Sequence, residues 1–232
     1  MMAAIVAWWV ASSVVGAAVF PLVWRVFDRL PDRGYGLSRS FGILLGGYLM
    51  WLCVSLGLLR NNPGGALAAV LLLGVGSGLA GRGHFRQIGE WLRTNAGTVL
   101  GMEALFFATF VGWGVVRAYN PGIGATEKPM ELAFLNATLR SPHFPPQDPW
   151  LAGNAISYYY LGYVLVAWMT WLTSVPAGVA FNLANATWFG LVALGSYSVV
   201  FHLPGLRHGA RRRLAALLGP VMGLLVGKPT GV

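Results

Sequence analysis

Apolar residues run through this chain in long blocks, separated by short basic stretches or by clusters of proline and glycine. A bilayer core takes about 20 mainly apolar residues per helix. The blocks that approach this length predict spans over 3–24, 41–59, 64–80, 98–116, 159–172, 176–201 and 214–226. The fifth and seventh are short, and the sixth is long enough to tilt or kink. The predicted fold is therefore all-α, a polytopic transmembrane helical bundle of about seven spans. Residues 1–232 read as a single membrane domain with no soluble domain attached. The first block lacks the basic region and small-residue cleavage site of a signal peptide, so it reads as a retained helix.

The breaks between blocks carry their own signals. Asn61-Asn62-Pro63-Gly64-Gly65 is a tight turn that makes the second and third spans an antiparallel hairpin. Gly74, Gly76 and Gly78 imitate a dinucleotide fingerprint, but no strand precedes them. Their spacing reads instead as close helix packing in lipid. Gly223 to Lys228 is one residue short of a phosphate loop, and Pro229 stands where Ser or Thr is needed.

Composition supports the membrane reading. The chain is 56% hydrophobic and 10% charged, where a soluble domain carries roughly 25% charged residues. A net charge of +9 would suit nucleic acid. The basic residues, however, sit in clusters between apolar blocks, as in cytoplasmic loops. The expected partner is membrane lipid, and no nucleic acid is expected. Cys53, the single cysteine, excludes an internal disulfide and a cysteine-based zinc site.

Arginine asymmetry predicts orientation. The first loop holds Arg25, Arg29, Arg33 and Arg39, the third holds Arg82, Arg86 and Arg93, and the second has Arg60. This places the first and third loops in the cytoplasm and the 117–157 loop on the extracytoplasmic side of the cell membrane. Two further crossings would then put Arg207, Arg211, Arg212 and Arg213 outside, against the rule. Either the 159–172 segment stops short of crossing, or the late loop is an exception.

The long outer loop concentrates the candidate chemistry. Glu127, Glu131 and Asp148 lie there, and Glu103 lies inside the fourth span. An acid within a membrane helix costs several kcal/mol unless it is paired or near water, so Glu103 is either functional or a buried acid bonded to a neighbouring helix. Asp28, Asp32 and Glu90 read as local charge balance. Thr126 predicts an N-cap for a short helix from Glu127 to about Leu139, with Pro129 in its first turn. Met130, Ala133, Phe134 and Ala137 recur at helical spacing, so this helix is expected to lie along the membrane surface. Glu127 and Glu131, at i and i+4, share a face beside Lys128. Two carboxylates can hold a divalent cation or take a proton; a lysine at a helix N-terminus can hold a phosphate. The plainer alternative is that the acids complement the helix dipole and pair with Lys128. After Arg140, the run Ser141-Pro-His-Phe-Pro-Pro-Gln-Asp-Pro-Trp150 would present His143 and Asp148 on a stiff segment. Tyr158, Tyr159 and Tyr160 then enter the next span. Single tyrosines at this depth anchor to the interface, but three in a row point in different directions, and one should face protein or a cavity.

Glu127-Lys-Pro-Met-Glu-Leu-Ala-Phe-Leu-Asn136, Phe144-Pro-Pro-Gln-Asp-Pro-Trp-Leu-Ala-Gly153 and Tyr158-Tyr-Tyr-Leu-Gly-Tyr163 resemble the bacterial and archaeal "YYY" polytopic membrane-protein family. The likeness extends to Leu30-Pro-Asp-Arg-Gly-Tyr35 and to Glu103 with its following phenylalanines. Ser157 departs from the asparagine expected there, and the chain is similar to an N-terminal portion of longer members. That family is in turn distantly similar to the GT-C superfamily of membrane glycosyltransferases, which take sugars from polyprenyl-phosphate donors. The resemblance implies a catalytic base or metal-binding acid among Glu127, Glu131 and Asp148. It implies a phosphate contact at Lys128, and substrate contacts near Arg140, His143 and the tyrosines. The other class open to the sequence is a non-catalytic membrane protein (transporter, scaffold or assembly subunit) or an inactive fragment. A transporter concentrates its polar groups near the bilayer midplane, whereas most of those here lie in the loop, which favours surface chemistry or binding.

Overall fold

The computed structural model describes residues 2–124, 126–203 and 210–226. Its helices are α1 (Met2–Val26), α2 (Tyr35–Ser55), α3 (Pro63–Ala80), α4 (Phe85–Thr94), α5 (Ala96–Tyr119), α6 (Lys128–Arg140), α7 (Leu161–Thr173), α8 (Ala177–Phe201) and α9 (Ala210–Ala216). A three-residue helix, Leu218–Pro220, then runs into a π-helical turn over Val221–Val226. No strand forms among the described residues, so the architecture is all-α.

Five helices, α1, α2, α3, α5 and α8, are long and apolar enough to cross a bilayer. Local chemistry sets several boundaries. Asn62 Oδ1 accepts the Gly65 N–H at 2.8 Å and Pro63 occupies the first helical position, which together start α3. Gly42 lets α1 and α2 meet closely, since a β-carbon there would sit 2.5 Å from the Val15 carbonyl oxygen. Trp8 Nε1 donates to Thr187 Oγ1 at 2.8 Å, tying α1 to α8 in the core. The α5 helix packs mainly on α8, where the Phe106 ring fills the space left by Gly190.

The two ends of the bundle are defined by side chains that join loops. At one end, Asp32 Oδ1 meets His202 Nε2 at 2.6 Å, linking the first loop to the end of α8. Arg25 Nη1 donates to the Ala80 carbonyl at that same end. At the other end, Arg117 binds Asn182 and so joins the end of α5 to the start of α8. Asn61, also there, donates to the Thr138 and Ser141 carbonyls.

Both ends of α7 lie at this second end. Tyr160 Oη, just before α7, accepts from Trp51 Nε1 at 3.0 Å near the end of α2. Trp171 Nε1, in its last turn, donates to Asn61 Oδ1 at 3.0 Å in the α2–α3 turn. At about 1.5 Å per residue a 13-residue helix spans about 20 Å, short of a core about 30 Å thick. The predicted fifth span is thus too short to cross, and both its ends are tied to the same end of the bundle. The predicted seventh, over 214–226, is likewise broken into short pieces. With α7 not crossing, the arginines of the first loop, of the α3–α4 region and of α9 gather at one end. Arg207 lies outside the described residues.

Two further expectations change. Within this chain a β-carbon on Gly74 would meet nothing within 4 Å and one on Gly78 only the Phe85 ring, so that pair makes no close helix contact. The α4 helix was not expected. It is short and amphipathic, turning Ile88 inward and placing Trp91 and Leu92 against the core.

Candidate functional site

The loop between α5 and α7 is organised by α6, which packs on α7 and α8. Its N-cap residue is Glu127 rather than Thr126, and Thr126 takes a left-handed φ of 57°. The buried face is Phe134, Leu135, Ala137 and Thr138, rotated from the predicted stripe so that Met130 and Ala133 fall at its margin. The helix is therefore held by protein and does not rest on lipid alone. Asn61 fixes its far end through two hydrogen bonds, at 2.6 Å to the Thr138 carbonyl and 2.8 Å to that of Ser141. Ser141 Oγ closes the corner by accepting the Gln147 N–H at 3.0 Å.

Within this frame the three acids have different surroundings. Glu127 is exposed at the start of α6, with Lys128 half-buried beside it. Glu131, one turn on, is half-buried and lines a cavity of about 260 Å³ enclosed by α6, α7 and α8. Tyr163 and Asn185 supply the other polar groups of that lining, with Trp188 and Phe181 as aromatic walls. Burial, and after it the charge of Glu131, push the Tyr163 hydroxyl above its ordinary range. Asp148 is engaged elsewhere: its Oδ1 accepts the N–H groups of Trp150 at 2.8 Å and Leu151 at 2.9 Å, an Asx turn at the tip of the loop. That loop closes on itself through Asp148 N–H to Asn154 O and Ile156 N–H to Pro146 O, both at 2.9 Å. Arg140 and His143 are exposed. Among the described residues no group of three acid, histidine or cysteine side chains could hold a metal ion.

The tyrosine triplet divides three ways. Tyr158 stacks on Phe134 with ring centroids 5.6 Å apart, Tyr159 is 83% exposed, and Tyr160 receives the Trp51 hydrogen bond. Trp150 meets Phe134 edge-on at 5.3 Å, so an aromatic cluster caps the same end of the bundle.

Glu103 belongs to a separate cluster toward the arginine-rich end. Its Oε1 accepts from Tyr35 Oη at 2.9 Å and its Oε2 pairs with Arg39 Nη2 at 2.8 Å. The same nitrogen donates to Ser13 Oγ at 2.7 Å, and the guanidinium lies 3.9 Å over the Phe106 ring. These groups line a cavity of about 400 Å³ among α1, α2, α4, α5 and α8. The acid is thus paired across helices. Tyr35 and Arg39, spaced i and i+4 on α2, are the signal that could have announced its partners. Asp32 is more than charge balance: it is fully buried, accepts the Gly34 and Gly36 N–H groups and holds His202. Glu90 does pair locally, with Arg86 at 2.9 Å on the surface of α4.

No curated protein and no solved structure matches the chain. A family model described as an uncharacterized membrane protein (DUF2298) matches residues 45–232. That stretch takes in the Glu103 cluster's α5 half, all of α6 and the tyrosine triplet, so the chain belongs to this family of membrane proteins.

Proposed function

We propose that the chain acts at the extracytoplasmic face of the membrane as an enzyme that transfers a sugar from a polyprenyl-phosphate donor. Glu131 is the general base in this reading. The observation that carries it is the position of Glu131, which among the described acids of the loop lines a cavity enclosed by α6, α7 and α8. The α8 helix, one wall of that cavity, is long and apolar enough to cross the bilayer, so a lipid-linked substrate would reach it from the membrane. Glu131 would take the proton of the acceptor hydroxyl as that oxygen bonds to the anomeric carbon, and the sugar–phosphate bond would break to release polyprenyl phosphate. Lys128 sits in the first turn of α6, where free backbone N–H groups also favour the leaving phosphate. Glu127 and Glu131 are the pair of carboxylates that would hold a divalent cation. Asp148, bound into its own turn, drops out of the base role.

The gathering of arginines at the opposite end supports the orientation, since basic clusters mark the cytoplasmic side. The resemblance of the loop motifs to GT-C enzymes supports the reaction class. A direct test is Glu131→Gln in the full chain, assayed for transfer of labelled sugar from a lipid-linked donor in membranes. The expected result is a loss of at least about a hundredfold, the usual contribution of a general base. Transfer unchanged by the substitution would favour the non-catalytic reading instead.

A further inference from the structure

A third cavity lies on a different flank of α8 from Glu131 and has a different chemistry. It measures about 570 Å³ and sits between the start of α1, the end of α5 and the first turns of α8. This falls within the roughly 300–1,000 Å³ of small-molecule sites. Ala4, Ile5, Ala118, Ile123, Val179 and Leu183 make most of its wall, and its polar side chains are Arg117 and Asn182. Asn182 Oδ1 accepts from Arg117 Nε at 2.8 Å and Nη2 at 2.6 Å, which fixes the guanidinium and leaves Nη1 out of that interaction.

The electrostatics of this corner are one-sided. Pro176 and Gly178, at the N-terminal end of α8, belong to the lining. The first N–H groups of a helix have no intrahelical partner and carry the positive end of its dipole. A guanidinium therefore stands beside a positive helix end, and no carboxylate is among the lining residues. An anion placed between them would satisfy both. The apolar wall next to that point suits a hydrocarbon tail, and α1 and α5 meet only sparsely beside it.

We propose that this cavity binds an amphiphile carrying a phosphate on an apolar tail. The phosphate lies at Arg117 and the start of α8, and the tail lies along α1 and α5. The site stands on its own geometry and does not require Glu131 to be catalytic. Two sources share this chemistry, a polyprenyl phosphate and an anionic phospholipid of the outer leaflet.

The test uses the full chain in dodecyl maltoside micelles, which carry no phosphate, with affinities for decyl phosphate and decanol measured side by side. The wild-type protein is expected to prefer decyl phosphate by roughly tenfold or more, the scale of one charge-assisted contact. Arg117→Gln should abolish that preference, and Arg117→Lys should keep part of it. A β-carbon on Gly178 meets nothing within 4 Å, so Gly178→Leu should fold normally, fill the cavity and weaken both ligands. No phosphate preference in the wild type, a preference surviving Arg117→Gln, or full binding by a folded Gly178→Leu variant would each overturn the proposal. Competition between a polyprenyl phosphate and phosphatidylglycerol then identifies the source. Tighter binding of the former marks a substrate-type site and equal binding a structural lipid site, and either upholds the phosphate amphiphile.

Discussion

The pair formed by Arg39 and Glu103 yields an asymmetric prediction. The Arg39 side chain is 4% exposed and that of Glu103 is 30% exposed, facing the cavity among α1, α2, α4, α5 and α8. Removing Glu103's charge by Glu103→Gln strands a guanidinium that cannot be neutralised within any accessible pH. Two of its nitrogens, Nε and Nη1, are already buried without a hydrogen-bond partner. Breaking a buried pair in this way costs about 3–5 kcal/mol. The Phe106 face and Ser13 remain and offset part of that, so a loss of about 3 kcal/mol is expected. Arg39→Met strands the carboxylate instead. That group keeps the Tyr35 hydrogen bond and can be hydrated from the cavity, so a loss of about 1 kcal/mol is expected. The double variant buries no charge and should cost about as much as Arg39→Met alone. The coupling read from the cycle is then about 3 kcal/mol in magnitude. Reversible unfolding in mixed SDS micelles measures all four proteins. Equal losses for the two single variants, or losses that simply add, would refute the reasoning from burial.

Three other outcomes follow from named contacts. In a Cys53→Ala background, a membrane-impermeant maleimide on intact cells should label Tyr159→Cys and spare Arg86→Cys and Arg211→Cys; the reverse pattern would invert the assigned topology. Gly42→Ala should destabilise by about 1–3 kcal/mol because its methyl meets the Val15 carbonyl, while Gly74→Ala, facing open space, should be neutral or slightly stabilising in the same unfolding assay. Asn61→Leu leaves the Ser141 carbonyl and the Trp171 N–H without their partner, at about 1–3 kcal/mol for each group left unsatisfied, while the Thr138 carbonyl keeps the Ser141 N–H. Faster hydrogen exchange across α6 should report it, and unchanged protection there would refute the anchoring role.

The long helices were legible because an uninterrupted apolar block has one solution in lipid, and Asn62 with Pro63 marks the start of α3 as plainly as any cap can. What escaped was pairing across distance. Glu103 was singled out by its cost, but its partners lie 64 and 68 residues earlier, and nothing local ties them together. Asp32 looked like one more charge in an arginine-rich loop, and its partner His202 is 170 residues away. Glycine spacing misled for a related reason. Gly74 and Gly78 share their spacing with Gly42 and Gly46, yet only the α2 pair meets neighbours closely, the Val15 backbone and the Trp168 ring. Spacing places small residues on one face; which face finds a partner is decided by the rest of the bundle. The α4 helix is too short to register in a search for spans, although Ile88, Trp91 and Leu92 at i, i+3 and i+4 carried its signal.

One short helix accounts for both the charge pattern and the candidate site. Had α7 crossed, α8 would have started at the arginine-rich end and the basic residues of α9 would have been carried to the other. Because the chain turns back at Ser174, which takes a left-handed φ of 54°, α8 starts beside Arg117 and ends beside Asp32. The space a full-length helix would have filled is then shared by α6 and α7. Their meeting with α8 leaves the cavity that Glu131, Tyr163 and Asn185 line. The same fold-back sets Arg117 against the first turns of α8, on the flank away from Glu131. A variant that straightened the Ser174 turn should therefore disturb both cavities at once while leaving the Arg39–Glu103 cluster intact. Both cavities are lined by the first half of α8, whereas the Arg39–Glu103 cluster rests on α2 and α5.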